Sequence, residues 1–313
     1  MILFFVTDIH GSELCFRKFL NAARFYDADV LVLGGDITGK HVVPYWPVNG
    51  TYLVGADEGT LEVPPAGLDE LLQAVRDRGG YPVRSSAEEF EALVSDDQRL
   101  EELIGRLMQE SIARWLSMAD ERLGGSGVRC FISPGNDDPP EIDRLLDEAA
   151  TVENPEGKLV ELDDRFSMIT CGITNPTPWH SPREEAEREL EARLEELARQ
   201  VAEPERAVFN LHAPPRDTPL DFAPLLDETK KPVVRGGQIE MTHVGSTAVR
   251  HVIERHRPLL GLHGHVHESR GLWRFGRTLC LNPGSEYPEG ILRGARVELN
   301  ERKGVRAYQL TQG

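Results

Sequence analysis

Cysteine is sparse in this chain of 313 residues: four, at positions 15, 130, 171 and 280, with no Cys-x-x-Cys pair among them. That excludes a disulfide framework and argues against a thiolate-held structural zinc. Cys130, Cys171 and Cys280 lie in apolar stretches that read as strands, so buried free thiols in a reducing cytosol are expected. Long hydrophobic runs are missing too. None approaches the roughly 20 residues that cross a bilayer, so no membrane partner is expected. The opening run Met1 to Val6 is apolar but short, has no basic leader and runs into Asp8; it reads as a first strand, not a signal peptide, and a cytoplasmic protein is expected. Basic residues are in deficit. Thirty-five Lys and Arg face 52 Asp and Glu, a net charge of −17. Such a surface repels nucleic-acid backbones and anionic membranes, so long nucleic acids are poor candidates as partners. Divalent cations held in a cleft would reverse that field locally. There are no internal repeats or low-complexity segments, and the oligomeric state is not specified.

With 40% hydrophobic and 28% charged residues, the composition is that of a globular protein with ample core. The first forty residues read strand, helix, strand. Ile2 to Val6 and Val30 to Leu33 are continuous apolar runs, the pattern of strands buried on both faces, and Ser12 caps a helix running to about Phe25. Further strands are expected at Val128 to Ser133, Phe166 to Cys171, Ala207 to Leu211, Leu259 to Leu262 and Leu279 to Leu281, with an edge strand or hairpin from Ala295 to Leu310. A charged helix spans Arg183 to Val201. Residues 41–127 break this rhythm. A hairpin from Tyr52 to Val63 leads to a helix with Leu68, Leu71, Leu72 and Val75 on one face, then a longer helical stretch from Ala87 to Leu123. This segment reads as a helical, cap-like insertion in one domain covering 1–313.

Five short segments put metal-ligand residues beside Gly or Pro directly after expected strands: Asp8-Ile9-His10-Gly11, Gly35-Asp36, Gly135-Asn136-Asp137-Asp138, Leu211-His212-Ala213-Pro214 and Gly264-His265-Val266-His267. Each alone is weak. Together, all five at strand ends, they point to one site, since ligands in open α/β sheets bind at the carboxyl ends of strands. Two metals held close together need a bridging carboxylate and neutral imidazoles, with Asn as a neutral oxygen donor. Such a pair clamps a phosphoryl oxygen and activates water.

The five segments resemble the signature of the calcineurin-like metallophosphoesterases: D-x-H, G-D, G-N-H-D/E, H and G-H-x-H. The resemblance runs from residue 8 to 267, leaving out the insertion, and leans to the cyclic-nucleotide-phosphodiesterase-like branch. It implies an α/β fold of two mixed β-sheets packed as a sandwich flanked by helices. It also implies two divalent metal ions (Mn, Fe, Zn, Co or Ni, with Mn favoured). Asp8, His10 and His267 would hold one metal, Asn136, His212 and His265 the other, and Asp36 would bridge. Asn136, Asp137 and His212 would act in catalysis on a small phosphorylated substrate.

One departure stands out: Asp137 occupies the place of the family's His. A carboxylate beside two cations stays ionised and is a poor acid, so substrates with good leaving groups, or a donor borrowed from His180 or His243, are expected. Asp138 reads as a helix cap or as a group orienting Asn136. His263 reads as a partner to a ligand, and His41, His251 and His256 as surface residues. Asn282-Pro283-Gly284-Ser285 reads as a phosphate-binding turn or a plain turn. The loop Asn175 to His180 offers Trp179 for stacking on a base and His180 for substrate contact. The resulting expectation is a dinuclear phosphoesterase acting on a small phosphodiester. The alternatives are a phosphomonoesterase, a nuclease, a nucleoside-polyphosphate hydrolase, a mononuclear site, or a metal-binding regulatory scaffold without turnover.

Overall fold

Strand Ile2–Val6 sends Leu3 and Phe5 to one side and Phe4 and Val6 to the other, and all four are buried. The reason is visible in a computed structural model, which describes residues 1–56 and 59–313. Leu3 and Phe5 join a core that also takes Val30, Val32 and Phe131 from the same sheet, and Met168, Val208, Leu260 and Leu281 from a second sheet. Phe4 and Val6 join Leu31, Leu33, Phe16, Phe19 and Trp115 beneath the helices on the outer face. The second sheet has its own outer core, where Ile169, Phe209 and Leu211 meet Leu190, Leu194, Val249 and Val252 of two covering helices. Strands covered on both faces need no polar alternation, which explains the unbroken apolar runs.

Each large sheet has six strands. The first runs in the order Gly304–Gln312, Arg293–Asn300, Ile2–Val6, Val30–Gly34, Arg129–Ser133, Val152–Glu153. The second runs Gly271–Phe275, Thr278–Asn282, Leu260–Leu262, Ala207–Leu211, Ser167–Cys171, Leu159–Glu161. Both are mixed: the central strands pair in parallel, and antiparallel pairs close the Arg293–Asn300 and Gly271–Phe275 sides. The architecture is therefore the expected two-sheet sandwich between layers of helix. Helices Glu13–Phe25 and Asp97–Leu123 cover the first sheet, and Glu187–Ala198 and Thr247–His256 the second. Ser12 accepts from the Cys15 N–H and caps the first of these as expected.

Residues 41–127 are not simply helical. Strands His41–Val48, Thr51–Gly55, Thr60–Val63 and Gly80–Arg84 form a separate four-stranded sheet, with helix Pro65–Asp77 crossing between the last two. The Thr51–Gly55 and Thr60–Val63 strands pair antiparallel, so the expected hairpin is present. Prolines 44, 47 and 82 lie within these strands and obscured them in the sequence. The long helical stretch is also two helices, Ala87–Val94 and Asp97–Leu123, because Asp96 breaks the run and caps the second through the Arg99 N–H. All four cysteines are free and buried. Among the described residues no helix is long and apolar enough to cross a membrane.

Candidate metal centre

Parallel pairing of Ile2–Val6, Val30–Gly34 and Arg129–Ser133 puts the loops carrying Asp8, Asp36 and Asn136 side by side. Parallel pairing of Ala207–Leu211 with Leu260–Leu262 does the same for His212 and His265. Both sets face the same edge of the sandwich. The two sheets are joined there directly: the His265 N–H donates to Asp8 Oδ1 and Oδ2 at 3.1 and 3.0 Å.

The backbone is bent hard at this edge. Asp8, His10, Asp36 and His265 have φ of 54°, 39°, 49° and 66°. Such left-handed conformations cost a side-chain-bearing residue roughly 1–2 kcal/mol each and persist where the surroundings over-determine them. Two glycines permit the crowding. A Cβ on Gly135 would strike the Asp36 carboxylate, and one on Gly264 would strike Thr7 and Asp8. The Gly in Gly-Asn and in Gly-His is thus set by close approach.

Three groups of side chains have ligand atoms within 4.8 Å of one another: Asp8 with His10 and His267, Asp36 with His212 and His265, and His10 with Asp36 and Asp137. His267 Nε2 is 3.5 Å from Asp8 Oδ1, His10 Nε2 is 3.8 Å from Asp36 Oδ2, and His212 Nε2 is 3.3 Å from Asp36 Oδ2. Asp36 lies between the two clusters, in contact with an imidazole of each. Nε2 of His10 and His267 face each other at 3.0 Å.

The donor set fits divalent metal ions. His212 Nδ1 is 3.0 Å from the Gly34 carbonyl, which fixes that nitrogen as the donor and points Nε2 inward. Among the described residues Nε2 there is buried with the Asp36 ion-pair contact but no hydrogen bond, and Asn136 Oδ1 is buried with none. Two orphaned ligand atoms beside two buried carboxylates form a cradle that protein groups alone leave unsatisfied. The electrostatics agree. Burial would lower the basicity of His212, but Asp36 and Asp8 outweigh it and raise its pKa to about 10. Burial opposes ionisation of Asp36 as well, yet His212 and His10 hold its pKa well below the usual range. Burial depresses His10 and His265, as an imidazole ligand requires, while Asp8 more than offsets burial at His267 and raises it.

Other expectations fared differently. Asp138 is not a helix cap: it accepts from the N–H groups of Ile37, Thr38 and Gly135 and from the Thr38 hydroxyl. It therefore ties the Asp36 loop to the Asn136 loop. His180 is exposed, and its neighbour Ser181 is the residue that reaches the site, donating from Oγ to Asp137 Oδ1 at 2.5 Å. His243 is held by buried Asp221 at 2.7 Å, with no hydrogen bond or ion pair to the ligand residues among those described. Asn282 braces the last ligand loop, donating towards the Gly264 and Val266 carbonyls, and Ser285 Oγ donates to the Asp8 carbonyl. The Asn-Pro-Gly-Ser turn is thus a support built from side chains. His263 is buried, with Nδ1 at 2.8 and 3.1 Å from the Leu211 and Ala213 carbonyls flanking His212. His256 is half-buried against Glu195, not a surface residue. Sequence reading missed Lys40 and Tyr287. Lys40 Nζ lies 2.9 Å from Asp137 Oδ1, and the Tyr287 ring lies 4.9 Å from that of His10. Lys40 carried a usable signal, four residues after Asp36 on the same loop; Tyr287 carried none.

The five segments singled out in the sequence are thus gathered at one edge of a double-sheet sandwich. No protein-family model matches the chain. It is similar to an uncharacterized protein of Methanocaldococcus jannaschii, 28% identical over 153 residues. That match covers 48% of this chain and 61% of the relative's length. Among solved structures, one crystal structure aligns over 99% of this chain and 98% of its own, with a TM-score of 0.56 and 19% identity. The crystal structure of TT1561 of Thermus thermophilus aligns over 100% and 97%, with a TM-score of 0.54 and 14% identity. At these identities the likeness is one of fold.

Proposed function

We propose that the chain is a dinuclear metal-dependent phosphoesterase that hydrolyses a small phosphodiester. The observation that carries this reading is the pair of carboxylate–imidazole clusters meeting at Asp36, with His212 Nε2 and Asn136 Oδ1 buried and making no hydrogen bond among the described residues. Asp8, His10 and His267 would hold one cation and Asn136, His212 and His265 the other, with Asp36 shared; Mn²⁺ suits this mixed N/O set. The bound ions would supply Lewis acidity and a water nucleophile near neutral pH. The chain's own part is to hold those ligands rigid through Asp138, Asn282 and His263, and to present Asn136 to the phosphoryl group. The acidic surface favours a small substrate over a long polyanion. Asp137 bears on the leaving group: a site without an imidazole at that position suits a substrate whose leaving group departs without a proton. The insertion would shape access, since its Tyr81 hydroxyl accepts from the Gly39 N–H and its Asp77 carbonyl accepts from Ser12, both on ligand-bearing loops.

The test is hydrolysis of bis(p-nitrophenyl) phosphate and p-nitrophenyl phosphate with Mn²⁺, by the intact protein and by Asp36→Ala. Faster diester turnover that falls by at least ~100-fold in the variant is expected. Monoester preference would make the protein a phosphatase. Failure on both esters, with two metals bound, would favour the scaffold reading.

A further inference from the structure

We propose that Lys40 takes the place of the imidazole at the mouth of this site, as the fixed cation that contacts a phosphoryl or leaving-group oxygen, and that Asp137 is its positioning residue. The inference rests on the phosphoesterase reading above.

Three donors converge on one oxygen of Asp137. Lys40 Nζ lies 2.9 Å from Oδ1, Ser181 Oγ donates to it at 2.5 Å and Asn136 Nδ2 at 3.2 Å. Asp137 Oδ1 thus pairs with an ammonium while accepting two hydrogen bonds. At the other end of the same residue, the Asp137 N–H donates to Asp36 Oδ1 at 2.9 Å. Asp137 therefore fixes Lys40 relative to the carboxylate shared by both metal clusters. Lys40 comes from the loop that also carries Asp36, so both partners of the ion pair are anchored at the metal edge. Its side chain is 49% exposed. Its ammonium carries three N–H donors, so the ion pair with Asp137 leaves donors for a ligand arriving from solvent. An ammonium is a compact charge that needs no titration to act as a donor, and its value rises when bound substrate excludes water. The absence of an imidazole after Gly135-Asn136 is then compensated by a lysine from a neighbouring loop, which sequence adjacency conceals.

The experiment compares the Mn²⁺-loaded full chain with Lys40→Met, Lys40→Arg and Asp137→Asn. The readouts are kcat and KM on diaryl phosphates of graded leaving-group pKa, calorimetric affinity for inorganic phosphate, and metal content. For Lys40→Met we expect kcat/KM to fall ~10- to 100-fold, with a steeper dependence on leaving-group pKa. Phosphate affinity should fall roughly tenfold, while metal content and the melting temperature of the metal-free protein stay unchanged. Lys40→Arg should recover part of the loss, and Asp137→Asn should reproduce it in weaker form without losing metal. Unchanged phosphate affinity and unchanged leaving-group dependence in Lys40→Met would overturn the proposal. So would loss of a metal ion in Asp137→Asn, which would make Asp137 a ligand and Lys40 its counter-charge. A wild type that hydrolyses no ester yet loses phosphate affinity in Lys40→Met would sink the phosphoesterase reading while upholding the lysine contact. A wild type that neither hydrolyses esters nor binds phosphate would overturn both.

Discussion

At the scale of single residues, His263 shows how much of the site lies behind its ligands. It is fully buried, and its Nδ1 faces the carbonyls on either side of His212. Burial pushes its pKa down from 6.5 to about 4, so the ring is neutral in the fold. A base with a depressed folded pKa binds fewer protons folded than unfolded, so its contribution to stability is present above 6.5 and lost as pH falls towards 4. The loss should approach ~1.4 kcal/mol per pH unit and reach on the order of 3 kcal/mol in all. His263→Asn removes that titration. The stability gap between metal-free wild type and variant, measured by urea unfolding, should therefore narrow steadily between about pH 6.5 and 4.5. A constant gap would mean that His263 titrates normally. The candidate ligand residues that the structure brings together were legible in the sequence because each is a recognisable side chain beside Gly or Pro. Ser181 was not, and Asp138 and Lys40 only in part, because their roles depend on which loop lies opposite, and that is fixed by sheet order.

At the scale of elements, the sandwich strands were readable because burial on both faces leaves unbroken apolar runs, as in Val30–Gly34 and Ala207–Leu211. Of the four-stranded sheet only the hairpin was readable, because strands His41–Val48 and Gly80–Arg84 are partly exposed and interrupted by proline. Its neighbour, helix Asp97–Leu123, changes character along its length. The early stripe of Leu100, Leu103, Ile104 and Leu107 is only half-buried, whereas Ile112, Trp115, Ala119 and Leu123 enter the main core. Trp115 stacks on Phe16 with ring centroids 4.3 Å apart. The two parts of the insertion should therefore separate under mutation. Trp115→Ala opens a cavity and is expected to cost ~3–5 kcal/mol, with KM unchanged in the protein that remains folded. Trp115→Phe should cost far less, because the indole N–H is buried without a hydrogen-bond partner among the described residues. Tyr81→Phe loses the bond from the Gly39 N–H and should cost only about 1 kcal/mol, yet raise KM by loosening the loop that carries Asp36 and Lys40. Urea unfolding beside steady-state kinetics checks both, and an unchanged KM in Tyr81→Phe would detach the insertion from the site.

At the scale of the whole molecule, the two sheets meet at an edge where Asp8 and Asp36 are both buried and the chain already carries a net charge of −17. Without metal, the proton on His212 offsets those carboxylates, which is why its pKa rises to about 10. On the proposed reading His212 is a metal ligand and must then be a neutral imidazole, so the cation and that proton compete for Nε2. Binding near pH 7.5 should therefore release about one proton per chain from this group. Calorimetric titration with Mn²⁺ in two buffers of different ionisation enthalpy measures it directly. On the proposed reading the metal would also clamp the two sheets together, provided it binds the folded chain alone. Free Mn²⁺ at 100 times its Kd would add about 2.7 kcal/mol and raise the melting temperature by about 5 °C. Chelation should remove this gain, and Asp36→Ala should show little of it. Proton release with no thermal shift would mean that metal also binds the unfolded chain. A thermal shift with no proton release would mean that His212 is neutral before metal arrives, so the carboxylates would have to be balanced by some other group at the same edge.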